Sequence, residues 1–185
     1  STYIAYGAHL FDSPNESILN EYQVEKGNFN MIMARFEPEN NLDMVLEGIA
    51  LNKEDQTPIL VIGKHETKYG TYLKNKFKDN TNIRFIGGVY NLEHLNNLRY
   101  FSNFYFHGHS VGGTNPSLLE AMASQALIIA HNNDFNKGVL KENAFYFSDK
   151  FEVKKILNTV KKSDNLHFIK NNYQAIANDF NWEKI

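Results

Sequence analysis

The stretch His107-Gly-His-Ser-Val-Gly-Gly-Thr-Asn-Pro-Ser-Leu-Leu-Glu-Ala-Met-Ala123 joins an apolar run to an apolar helix through a loop of small residues. The run before it, Asn103 to Phe106, has the length and composition of a strand. Asn115 stands where an N-cap belongs and Pro116 suits the first turn, so a helix is predicted to begin there. Strand, small-residue loop and helix form the connection found at the carboxyl ends of parallel strands, where α/β folds hold their ligands. Ser110 to Asn115 would then bring flexible backbone and several N–H groups to a helix N-terminus, which suits an anion. Gly112 and Gly113 let a ligand approach the backbone closely, although a loop that only makes a tight turn has the same composition.

Outward from this stretch the same alternation repeats. Short apolar runs at Phe29 to Phe36, Pro58 to Gly63, Ile83 to Gly87, Leu127 to Ala130 and Ala144 to Phe147 read as strands covered on both faces. Between them, Leu42, Val45, Leu46, Ile49 and Ala50 make an apolar helical stripe. Weaker stripes run through Tyr69, Leu73 and Phe77 and through Leu92, Leu95 and Leu98. Two more follow, from Val153 to Val160 and from Leu166 to Phe180. Repeated strand–helix units predict an α/β fold: a parallel sheet, Rossmann-like, with helices on both faces. Residues 1–28 are less regular, with a short apolar start at Tyr3 to Tyr6 and a brief helical stretch near Ile18 to Tyr22.

The 185 residues suffice for one domain with a sizeable core. A net charge of −2 gives no electrostatic reason to expect nucleic acid or an anionic membrane as the main partner. With no cysteine the chain has neither disulfides nor thiolate metal sites, which suits a reducing, cytoplasmic setting. Apolar runs such as Ala126 to Ala130 are far too short to span a bilayer. Ser1 at the start and the abrupt Asn181-Trp-Glu-Lys-Ile185 at the end read as cut points in a longer protein.

Two charged residues stand out. Glu120 lies in a helix whose other residues are apolar or small, and a carboxylate there is costly to bury unless something pairs with it. One turn below a phosphate site it could accept hydrogen bonds from ribose hydroxyls; a solvent-facing stripe is the plainer reading. Arg35 ends the run Phe29 to Ala34, where its fork suits a diphosphate. The plainer reading pairs it with Glu37 or Glu39. His107 and His109, at i and i+2, point to opposite sides of an extended chain, so at most one is expected to face a ligand. No third ligand is spaced to make them a metal site.

Arg35 in Met-Ala-Arg-Phe-Glu-Pro-Glu-Asn-Asn, Phe85-Ile-Gly, and above all Pro116-Ser-Leu-Leu-Glu-Ala-Met-Ala resemble the C-terminal domain of GT-B glycosyltransferases of family 4. The resemblance runs in order from about Ile4 to Ile185, and His107 to Glu120 is most similar to a bacterial branch that includes rhamnosyltransferases of capsule and surface-polysaccharide synthesis. It implies an interdomain lead-in at residues 1–28 and a nucleotide-sugar-binding domain at 29–185, cut at the helix that crosses back to an N-terminal domain. By the same resemblance Arg35 contacts the donor diphosphate and Glu120 the ribose. The backbone of Gly113, Thr114 and Asn115 holds the donor sugar or phosphate; from the loop itself, Ser110, Gly112 and His109 are further candidates for the donor site. The family pattern has a glutamate where this chain has Gly112 and a lysine where it has Asn40; Lys64 is the candidate to make up the charge. A 6-deoxy sugar such as rhamnose suits the missing glutamate.

The implied reaction is transfer, with retention, from a nucleoside-diphosphate sugar to a glycan or lipid-linked acceptor. It uses no cofactor and no metal: the helix N-terminus and Arg35 stabilise the leaving diphosphate. Further implied partners are the N-terminal domain of the same chain and, for the full-length protein, the inner face of the membrane. Two other readings share the architecture: a degenerate domain serving as an interaction scaffold, and a GT-B-type sugar-nucleotide epimerase. A dinucleotide-dependent dehydrogenase is disfavoured, because no Gly-x-Gly-x-x-Gly follows the first strand.

Overall fold

The computed structural model describes residues 7–113 and 115–180. Tyr3 to Tyr6, Thr114 and the terminal Asn181 to Ile185 lie outside the described residues. Six strands form one sheet: β1 (Asn30–Met33), β2 (Ile59–Ile62), β3 (Ile83–Gly87), β4 (Tyr105–His107), β5 (Ile128–His131) and β6 (Phe145–Phe147). All neighbours are parallel and the order is β3-β2-β1-β4-β5-β6. The direction of winding reverses between β1 and β4, and in such sheets a crevice opens there beyond the carboxyl ends.

Successive residues of a strand face opposite sides of the sheet, and here both sides are apolar. Met31, Leu60, Ile62, Tyr105, Ile128 and Ala130 belong to one core, with α3 (Leu92–Phe101), α4 (Pro116–Ala123) and Ile176 of α7 (Leu166–Asp179). Their neighbours Ile32, Ile59, Val61, Phe106 and Ile129 belong to the other, with α1 (Leu42–Leu51), α2 (Lys68–Lys76) and α6 (Lys150–Thr159). This accounts for strands that read as apolar runs rather than alternating ones. Side-chain oxygens of Thr67, Asn91, Asn115, Asn133 and Asp149 accept backbone N–H bonds and start α2, α3, α4, α5 (Asp134–Leu140) and α6.

Helix α5 has no counterpart in the sequence reading. Phe135 on it is exposed and only Asn136 and Leu140 are buried, so it carries no apolar stripe to be recognised. Residues 7–28 share the first core through Ala8, Leu19 and Val24. The Ala8 N–H donates to the Phe180 carbonyl and that of Phe11 to the Ala123 carbonyl, which ties this segment to α7 and α4.

Candidate functional site

A cleft of about 850 Å³ opens beyond the carboxyl ends of β3, β2, β1 and β4, within the size range of small-molecule sites. Arg35 and Asn40 reach it from the loop after β1, Lys64 and Thr67 from the loop after β2, and Tyr90 from the loop after β3. His107, Gly108 and His109 come from the end of β4, and Asn115, Ser117 and Glu120 from the start of α4. Of the residues expected at the site, the fold therefore brings Arg35, Lys64, His109, Asn115 and Glu120 to one cleft.

Ser110, Gly112 and Gly113 do not line it. The Ser110 N–H and hydroxyl both donate to the Glu39 carbonyl, at 3.2 and 2.6 Å, so its donors are taken up by the neighbouring loop and not offered to an anion. Gly112 and Gly113 are exposed; Gly112 has φ +94°, in the left-handed region that favours glycine. Thr114 is outside the described residues. The helix start itself matches the sequence reading: the Asn115 side chain accepts from the Ser117 N–H at 2.9 Å, with Pro116 in the first turn.

The loops after β1 and β4 are fastened together across the switch point. The Asn41 amide donates to the Gly108 carbonyl at 2.7 Å, and a Cβ on Gly108 would lie 2.1 Å from the Asn40 carbonyl, so only glycine permits the approach. Buried Asn40 donates to the Arg35 carbonyl at 2.9 Å and offers its side-chain oxygen to Nδ1 of His109, also at 2.9 Å. Where the family pattern has a lysine, this chain therefore has a side chain that organises the loop. Arg35 itself is exposed to the cleft and makes no ion pair among the described residues, with Glu37 and Glu39 included.

Glu120 has a partner the sequence reading did not name. Nη2 of Arg99, on α3, donates to its Oε2 at 2.8 Å; the arginine side chain is fully buried and that of the glutamate is 35% exposed. Arg99 also donates from Nη1 to Asn96 at 3.3 Å, and its guanidinium lies 5.9 Å from the Tyr105 ring centre. The cleft carboxylate is thus charge-compensated from behind. A sequence signal existed: Arg99 follows Leu95 at i+4, on the apolar stripe of α3, a position where an unpaired cation would be costly.

His107, the last residue of β4, and His109 both border the cleft; His107 is buried and His109 is partly exposed. Their rings are 6.0 Å apart and tilted by 42°. Burial, with the nearby His109 adding to it, pushes His107 down to about 3, so its ring is neutral at physiological pH. No group of three or more His, Cys, Asp or Glu side chains suited to a metal ion occurs among the described residues. Nor is any helix among them long and apolar enough to cross a membrane.

Residues 15–178 match the family described as Glycosyl transferases group 1. The chain belongs to that family. By sequence, no curated protein matches it. In structure it is similar to HepE of Anabaena, solved with UDP-glucose, at a TM-score of 0.78 and 13% identity over 90% of this chain and 48% of that one. It is also similar to the C-terminal domain of the group 1 glycosyl transferase LpcC from Francisella tularensis, at 0.72 and 15%, over 96% of both chains. WaaG, a glycosyltransferase involved in lipopolysaccharide biosynthesis, gives 0.74 and 11%, over 95% of this chain and 51% of that one. The chain thus spans about half the length of HepE and WaaG, and its Rossmann-like fold is that of GT-B C-terminal domains.

Proposed function

We propose that this chain is the donor-binding half of a retaining, metal-independent glycosyltransferase. The observation that carries the reading is the cleft at the switch point, where Arg35, Lys64 and the start of α4 face the same space as the Arg99-backed Glu120. The donor is a nucleoside-diphosphate sugar, the chemistry named for HepE by its complex with UDP-glucose. The diphosphate lies against Arg35, Lys64 and the N-terminus of α4, which stabilise the charge that develops as the bond from the anomeric carbon to the phosphate oxygen breaks. Ribose hydroxyls donate to the free side of the Glu120 carboxylate. The sugar passes to a glycan or lipid-linked acceptor held mainly by an N-terminal domain. A 6-deoxyhexose such as rhamnose fits a site whose loop has glycine at 112.

Calorimetric titration with UDP, dTDP and GDP and their sugars, in EDTA, tests the reading. It predicts that at least one nucleoside diphosphate binds without metal. Failure of all of them, or binding that disappears with the chelator, contradicts it and leaves a scaffold role in its place.

A further inference from the structure

His109 is held in a way that fixes what its second ring nitrogen offers. The Asn40 amide nitrogen donates to the Arg35 carbonyl at 2.9 Å, so its oxygen must be the atom facing Nδ1 of His109, 2.9 Å away. Flipping the amide would set oxygen against oxygen. Asn40 therefore accepts, Nδ1 of His109 carries the hydrogen, and in the neutral ring Nε2 is left with a lone pair. The backbone is held as well: the amides of Asn133 and Asn136 both donate to the His109 carbonyl, at 3.0 and 3.1 Å. The next residue, Ser110, is bonded to Glu39.

Nε2 makes no hydrogen bond among the described residues, and the ring borders the cleft. It lies 3.5 Å from where a Cβ on residue 112 would sit; with glycine there, no side chain of residue 112 covers the nitrogen. A fixed acceptor that has no partner among the described residues, on a ring that borders the cleft, matches a group with a hydrogen to give. A phosphate oxygen has none, whereas a sugar hydroxyl has one.

We infer that Nε2 of His109 accepts a hydrogen bond from a hydroxyl of the transferred sugar, and that Asn40 sets the tautomer that makes this possible. His109 is thereby a specificity-determining residue that reads the sugar and not the diphosphate. The inference rests on the donor-site reading above.

The test compares wild type, His109→Leu and His109→Gln with whichever of UDP and UDP-glucose, dTDP and dTDP-rhamnose, or GDP and GDP-mannose binds. Circular dichroism establishes that the variants fold. His109→Leu is expected to weaken the sugar nucleotide about 3- to 10-fold, the worth of one neutral hydrogen bond, and to leave the nucleoside diphosphate unchanged. His109→Gln, which keeps an acceptor oxygen, is expected to regain part of the loss. Wild type should take up no proton on binding the diphosphate, measured in buffers of different ionisation enthalpy. Equal weakening of both ligands, together with proton uptake by wild type, would make His109 a phosphate contact and overturn the inference. No change in either ligand would overturn it while leaving the donor site standing. A wild type that binds no nucleoside diphosphate overturns both.

Discussion

Two charge clusters, one on each side of the sheet, both pair cations with carboxylates and do different things. Between α1 and α2, Lys76 pairs with Asp43 at 2.6 Å and with Glu47, which also meets Lys150 at 3.1 Å. All four side chains keep 28–39% of their exposure, so water competes for each contact. Between α3 and α4, Arg99 is fully buried and has one carboxylate, Glu120, whose other side opens on the cleft. Surface pairs of the first kind contribute little to stability. In the second, a permanently charged guanidinium that cannot reach water makes the carboxylate structurally necessary as well as available to a ligand.

The difference predicts an asymmetry. Glu120→Ala should cost most, about 3–5 kcal/mol in denaturant unfolding, because it leaves Arg99 buried and unpaired. Arg99→Met should cost less, about 1–3 kcal/mol, since Glu120 can turn to water through the cleft. Equal costs would mean that the two groups are equally buried in solution. Next in size, Arg35→Ala should weaken nucleoside diphosphate binding by about 1.5–3 kcal/mol with the fold intact, as for loss of a charge-assisted contact. Unchanged affinity in calorimetry would remove Arg35 from the site. Smallest, Lys76→Met should shift stability by about 1 kcal/mol or less, and a larger loss would erase the contrast between the clusters. Burial works against the charge of Lys76, but the bonds to Asp43, Glu47 and Tyr72 prevail and raise its pKa. Its contribution is therefore complete below the unfolded value and fades only as pH rises through the alkaline range.

The central strands were legible because they are covered on both faces: Ile59 to Ile62 is apolar at every position and becomes β2. The helix at Pro116 was legible because a cap and a proline are local signals. Helix α5 was not, since its burial rests on Asn136 and Leu140 alone. Arg35, just past β1, and Glu120, within the apolar helix α4, stood out in the sequence as charged residues in apolar surroundings. Their surroundings were not, because Arg99 and Glu120 are 21 residues apart in the chain and Asn40 and His109 are 69 apart. Ser110 shows the same limit from the other side: it sits in a loop of the right composition, but its donors point to Glu39, which local sequence does not reveal.

The central claim is that Glu120 faces a nucleotide while Arg99 holds its back, and titration of Glu120→Gln against wild type tests it most directly. Glutamine keeps an acceptor for Arg99 and a similar helix propensity, so thermal unfolding should still report a folded domain. The account predicts that nucleoside diphosphate affinity falls by about 1–2 kcal/mol while inorganic pyrophosphate, which has no ribose, binds both proteins alike. Equal losses for the two ligands, or none for either in a folded variant, would contradict it.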